Sequence, residues 1–236
     1  IVVEMFAEII EETTDFSVEL KKGLGSTPTL LDALEEGSLD ISFDYTGTIF
    51  GNIMGRSDKL PPDEVFEISK DYLLDEYNLV ALEPLGFNNT YTFAVTQSTA
   101  ERYDLHSFTD LANVSNEIQL GCTIEFMNRA DGLPGVEDAY DMNFQAVNAI
   151  DDSPRYIALE QDDVQVVDAY STDALIRKYD LVALEDDHQF FPPYYGFPMI
   201  RKDVLEQHPE IEEAMALLVG VIDDEAMAEL NYQVDE

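Results

Sequence analysis

Tyrosine is the residue type that sets this sequence apart, with 12 copies and no tryptophan in 236 residues. Several stand where apolar runs end beside Gly, Pro, Asn or Thr. These are Asp44-Tyr45-Thr46-Gly47-Thr48, Asn88-Asn89-Thr90-Tyr91, Asp168-Ala169-Tyr170-Ser171-Thr172-Asp173 and Phe191-Pro192-Pro193-Tyr194-Tyr195. One such tyrosine is ordinarily a half-buried strand residue with an apolar body and a polar tip. Four of them form a pattern, and what ring faces offer is non-covalent binding.

Residues able to do covalent chemistry are sparse by comparison. His106, His188 and His208 are far apart and none sits in an H-E-x-x-H pair. The acidic doublets Asp151-Asp152, Asp162-Asp163, Asp186-Asp187 and Asp223-Asp224 lack the twelve-residue calcium loop with its central Gly and terminal Glu, and read as solvated helix caps. Gly23-Leu24-Gly25-Ser26-Thr27 precedes a helix but has neither the lysine of a phosphate loop nor dinucleotide glycine spacing, so it reads as a tight turn. Cys122 is the single cysteine and lies among apolar strand residues without a neighbouring His, as a small core residue does. No G-x-S-x-G motif is present. The expectation is a protein that is not an enzyme and has no cofactor or metal.

Charge narrows the partners. Against 12 Lys and Arg stand 50 Asp and Glu, a formal charge of −38 spread along the whole chain. A surface that neutralises nucleic acid phosphates or anionic lipid is thereby excluded. Such self-repulsion destabilises a compact state unless salt screens it, so the composition points to a salt-loving source, the alternative being an acidic surface on an ordinary secreted protein. The longest apolar run, AMALLVGVI at 214–222, is far too short to span a bilayer. The chain opens on Ile1 inside a helical pattern, without an initiator Met or signal peptide, and reads as trimmed.

The elements that must carry the tyrosines alternate between helix and strand. Apolar residues at Ile1, Val2, Met5, Phe6, Ile9 and Ile10 predict a helix over 1–13, followed by a strand at 16–20. Thr27-Pro28 opens a helix that stops before Gly37, 39–45 alternates as a strand, and Pro61-Pro62 opens a helix reaching about Glu76. Leu79-Val80-Ala81-Leu82-Glu83 recurs as Leu181-Val182-Ala183-Leu184-Glu185, each copy preceded by a tyrosine. Between the copies lie strand readings at 91–96, 119–124, 144–150 and 164–170. Helices start near Ser107, Pro134 and Pro154, the first with a Ser107/Asp110 capping box. A strand at 196–200 and two helices over 203–230, broken at Asp223-Asp224, complete the chain. The class is α/β, with a second α/β unit inserted into the first; the echoed strands read either as the ends of two lobes that the chain crosses between twice or as two unrelated Leu/Val-rich strands.

The tyrosine segments belong to a longer set of motifs in order along the chain: E-x-x-x-G-L-G-x-T (19–27, with Ser26 where glycine is usual), D-Y-T-G-T (44–48), F-N-N-T-Y (87–91), E-F-x-x-R-x-D-G-L-P-G (125–135), A-Y-x-T-D (169–173), L-x-D-D-x-x-x-F-P-P-Y (184–194) and E-L-N-Y-x-V-D (229–235). Together they closely resemble the substrate-binding proteins of ABC importers for glycine betaine, proline betaine, choline and carnitine. The resemblance implies the two-lobe periplasmic-binding fold of the second type, with a ligand cleft between lobes and a chain that crosses twice. Its expected boundaries are 1–86 with 192–236 for lobe I and 87–191 for lobe II.

By motif, the resemblance implies that Tyr45, Tyr91, Tyr170 and Tyr194 box a quaternary ammonium, with the backbone carbonyl of Asn89 adding a contact. Arg129 and Thr48 are implied to hold the ligand carboxylate. A first strand and a lysine contact in an S-K-x-F-x-E-Q segment are implied ahead of Ile1, and a helical tail beyond the C-terminal end. The chemistry independently favours such a box: a trimethylammonium has no N–H to donate, whereas a dry ring face attracts it by about 0.5–2 kcal/mol. Arg129 offers a planar fork suited to a carboxylate, which favours betaines over choline. The expected partners are a small quaternary ammonium solute and the membrane permease of an importer, and the protein is expected to be an extracytoplasmic monomer serving osmoprotection. The rival readings are a sensing module of the same fold in a signalling protein and an enzyme acting on choline or betaine.

Overall fold

The computed structural model describes residues 1–235. Residue contacts divide the chain into two compact units, Ile1–Asn89 with Pro193–Leu230, and Thr90–Pro192 with the segment from Asn231 onward.

The first unit is built on a three-stranded antiparallel sheet of β1 (Ile41–Tyr45), β2 (Leu79–Ala81) and, from the far end of the chain, β8 (Gly196–Arg201), which lies between the other two. Successive side chains of a strand point to opposite faces. Accordingly Phe197 and Met199 of β8 join Leu31, Leu34, Phe66 and Leu73 in one core, while Ile200 joins Phe6, Ile10, Phe87, Ile211 and Met215 in another. Helix Val2–Thr13 buries Phe6 and Ile10 four apart, and helix Pro62–Tyr77 ends at Asn78 in the left-handed conformation, φ 57°.

Two expectations for this unit are corrected. Residues 16–20 form no strand among the described residues. Apolar alternation alone does not make a strand, which needs a neighbour to exchange backbone hydrogen bonds. Here Val18 N–H donates to the Glu11 carboxylate instead, and Val18 lines a groove with Phe6, Ile10, Ile41 and Phe43. Second, 203–230 contains a break the two-helix reading did not include. Pro209 separates helix Lys202–Gln207 from Glu210–Ala216, and helix Asp224–Asp235 follows the acidic doublet.

The second unit carries a five-stranded sheet. β4 (Gln119–Cys122) lies parallel to both β5 (Ala146–Ala149) and β6 (Val166–Tyr170), while β3 (Tyr91–Thr96) runs antiparallel to β6 and to the edge strand β7 (Leu181–Ala183). Both echoed segments are edge strands, β2 of the first sheet and β7 of the second. Tyr156, from helix Asp152–Glu160, packs with Leu159, Val164, Val167 and Ala169. Helix Phe108–Val114 begins with the expected reciprocal Ser107/Asp110 capping box. No helix among the described residues is long and apolar enough to cross a membrane.

Candidate functional site

In the second unit, β3 and β6 set two of the sequence-named tyrosines face to face. Tyr91 and Tyr170 are direct partners across the antiparallel ladder, so their side chains emerge on one face. Their ring centroids are 4.8 Å apart at an interplanar angle of 40°, and the Tyr170 hydroxyl donates to that of Tyr91 at 3.4 Å. Phe126 and Phe191 complete the cluster around Tyr91, with centroids at 5.1 Å and 5.4 Å. Burial first, and then the neighbouring Tyr91, pushes the Tyr170 phenol well above its ordinary pKa, so the ring remains neutral.

Arg129 stands beside this cluster, its guanidinium carbon 5.6 Å from the centre of the Tyr91 ring. The side chain is only 10% exposed. Its Nε and Nη2 grip the Asp131 carboxylate at 2.9 Å and 2.7 Å, and Nη1 reaches Glu125 at 2.9 Å. The fork expected for a ligand carboxylate is thus already engaged by two neighbouring carboxylates, Glu125 of helix Ile124–Asn128 and Asp131 beyond it.

A buried ion pair beneath the rings holds that loop. Asp168, fully buried on β6 two residues before Tyr170, accepts from Thr123 N–H at 3.1 Å and from the Thr123 hydroxyl at 3.0 Å. Arg155 approaches the same carboxylate at 3.3 Å and donates to the Asp168 carbonyl at 2.8 Å. Burial pushes the Asp168 carboxyl up, against the opposing pull of Arg155 and Thr123. Thr123 also caps the short helix Ile124–Asn128, its hydroxyl accepting from Phe126 N–H, and so fixes Phe126 and the start of the Arg129 loop. On the other flank Asp186 accepts from the N–H groups of Phe190 and Phe191, both at 2.9 Å, and from the Tyr140 hydroxyl, which sets Phe191 against Tyr91.

The first unit assembles the remaining residues at the end of β1. The Tyr45 ring packs edge-on against Phe43 at 5.0 Å and accepts at its hydroxyl from the Asn89 amide at 3.2 Å. Asn89 N–H donates to the Tyr194 carbonyl at 3.0 Å, so this one residue links both tyrosines. Tyr194 N–H donates to the Asn88 side-chain oxygen at 2.7 Å. Thr46, fully buried, binds the same segment from the other side: its hydroxyl donates to Pro193 O at 2.6 Å and accepts from Tyr195 N–H at 3.1 Å, and its N–H donates to Tyr195 O at 3.0 Å. Thr48 is buried as the first residue of a π-helical turn, Thr48–Ile53.

The sequence-named residues therefore fall into two groups, Tyr45, Thr48, Asn89 and Tyr194 in one unit and Tyr91, Arg129 and Tyr170 in the other. Sequence reasoning overlooked Phe126, Phe191 and Thr46. Phe126 and Phe191 lie inside the quoted motifs, but phenylalanine has no polar tip to set it apart from ordinary core. Thr46 shares its motif with Thr48, and only the fold shows which segment it ties down. Among the described residues no group of three or more His, Cys, Asp or Glu side chains is placed to hold a metal ion.

Comparison with known proteins gives this geometry a context. The substrate-binding domain of ABC-type glycine betaine transport systems matches residues 1–236. The ergothioneine transport permease/ergothioneine binding protein EgtU of Helicobacter pylori is 35% identical over 211 residues, which are 89% of this chain and 38% of that protein, so the chain spans well under half of that relative. The carnitine transport binding protein OpuCC of Listeria monocytogenes is 34% identical across all of this chain and 77% of its own length. A crystal structure of a glycine betaine/carnitine/choline ABC transporter is similar in fold with a TM-score of 0.82 and 33% identity, over 98% of this chain and 86% of that one. With its two mixed α/β units in the type II periplasmic-binding fold, the chain belongs to the family of substrate-binding domains of ABC-type glycine betaine transport systems.

Proposed function

We propose that this protein captures a zwitterionic quaternary ammonium solute of the glycine betaine type outside the cytoplasm and delivers it to the permease of an ABC importer, as part of osmoprotection. The rings of Tyr45, Tyr91, Tyr170 and Tyr194, with the Asn89 carbonyl, are assigned to the ammonium, and Arg129 and Thr48 to the carboxylate. The protein binds without catalysing a reaction and works as a monomer.

The observation that carries this reading is the Tyr91–Tyr170 pair, backed by Phe126 and Phe191. Neutral, tilted, preorganised ring faces suit a cation that can accept no hydrogen bond from the protein and donate none to it. Micromolar capture corresponds to about −8 kcal/mol, which four ring contacts of about 0.5–2 kcal/mol supply only when the site is ordered in advance. The Asp168–Thr123 hydrogen bonds near one set of rings and the Thr46 and Asn89 ties near the other support the reading.

Calorimetric titration with glycine betaine, carnitine and choline tests the reading. Saturable binding of the two carboxylate-bearing ligands, tighter than that of choline, is expected. Absence of heat with all three would refute it.

A further inference from the structure

Gly47 lies in the middle of the Tyr45–Thr48 segment, yet its backbone angles, φ −64° and ψ −31°, are those any residue adopts. Conformational freedom is therefore not what glycine supplies here. Its surroundings are: a Cβ built on Gly47 would lie 2.7 Å from both Cδ1 and Cε1 of Tyr194 and 2.9 Å from Cζ, inside van der Waals contact along one edge of the ring. The phenol rests directly on the Gly47 backbone.

The ring has little room to retreat, because its own backbone is held on two sides. Thr46, next in sequence to Gly47, makes three hydrogen bonds to Pro193 and Tyr195, and Asn88 and Asn89 hold the N–H and carbonyl of Tyr194. The Tyr194 side chain is buried as well. We propose that Gly47 is a positioning residue: its missing side chain fixes where the Tyr194 ring lies, and with it the ring face offered to the ammonium group. The consequence for ligand rests on the assignment of Tyr194 to the ammonium site, whereas the packing consequence does not.

The two are separated by a double-mutant cycle of Gly47→Ala and Tyr194→Ala, read by thermal unfolding without ligand and by calorimetric titration with glycine betaine. Gly47→Ala alone is expected to lower the unfolding midpoint and to weaken glycine betaine about tenfold, the scale of one displaced cation–π contact. In the Tyr194→Ala background the added methyl has space, so the same substitution should leave the midpoint unchanged and alter affinity by less than about twofold. Should Gly47→Ala fail to fold alone, its recovery by Tyr194→Ala supports the proposal and a failure to recover overturns it. A midpoint loss of equal size in both backgrounds also overturns it. If the wild-type protein binds no betaine, the transport reading fails while the unfolding cycle still decides the role of Gly47. A midpoint that couples to Tyr194 alongside a betaine affinity that does not would limit Gly47 to packing and overturn its link to the ligand.

Discussion

Tyr91 and Tyr170 are direct partners across the β3–β6 ladder, and their rings meet at 4.8 Å. Strand register produces this contact: a slip of one residue would turn one ring to the opposite face of the sheet. Asp168, two residues earlier on β6, is pinned by Thr123 and Arg155, which opposes such a slip.

The pair gives the first prediction. Replacing Tyr91 or Tyr170 by Ala should weaken glycine betaine by about 1–2 kcal/mol, roughly tenfold, while Phe at either position should be nearly neutral. The hydrogen bond from the Tyr170 hydroxyl to that of Tyr91 is long, 3.4 Å, and the ring faces are the surfaces assigned to the ammonium. Titration of the four variants is the check, and a Phe variant as weak as its Ala counterpart would point to recognition through the hydroxyl.

On the proposed assignment of Arg129 to the ligand carboxylate, Arg129→Ala should weaken glycine betaine by about 2 kcal/mol or more, because the ligand anion would lose charge-assisted partners. Choline, with a hydroxyl in place of the carboxylate, should lose less. Removing Arg129 also strips Asp131 of its two-pronged partner, so the unfolding midpoint should fall with or without ligand. The ratio of the two ligand losses separates the effects: equal losses would leave Arg129 as a support for its own loop.

Salt dependence follows from the −38 formal charge. The Debye length grows from about 3 Å at 1 M salt to about 10 Å at 0.1 M, which exposes the carboxylates to one another. The melting temperature should therefore rise with added KCl from millimolar to molar concentrations. A flat or falling series would remove the salt-loving reading and leave the ligand assignment intact.

Cys122 is fully buried on β4, and burial raises its thiol from the ordinary 9.0 to about 12. At pH 8 roughly one molecule in ten thousand then carries the reactive thiolate, so iodoacetamide should label the native protein only through unfolding. Because the folded pKa is raised, the thiol's contribution to stability is present below about pH 9 and is lost as pH climbs toward 12. Labelling of native protein as fast as of urea-unfolded protein would contradict this burial.

Much of the candidate site was legible because its residues are unusual for where they stand. Tyrosines beside Gly, Asn and Pro at strand ends, and an arginine in a chain with 12 basic residues, are conspicuous before any fold is known. Phe126 and Phe191 were not, since a phenylalanine packed against Tyr91 has the same local pattern as one that fills a core. The strand expected at 16–20 shows the same limit from the other side: its alternation is genuine, but a strand is a relation between two segments and periodicity describes only one.

The sequence by itself determined the α/β class, the helix starts at Pro62 and Ser107, the excess of acid and the motif set that marks the family, because each is written in neighbouring residues or in composition. Only the tertiary structure decided that Phe126 and Phe191 pack against Tyr91, that Thr46 ties down Pro193 and Tyr195, and that Gly47 lies under the Tyr194 ring. The last two join residues about 150 positions apart, as the 147 between Thr46 and Pro193 illustrate. Contacts at that separation depend on where β1 and β8 bring the chain in space, which no local spacing rule encodes.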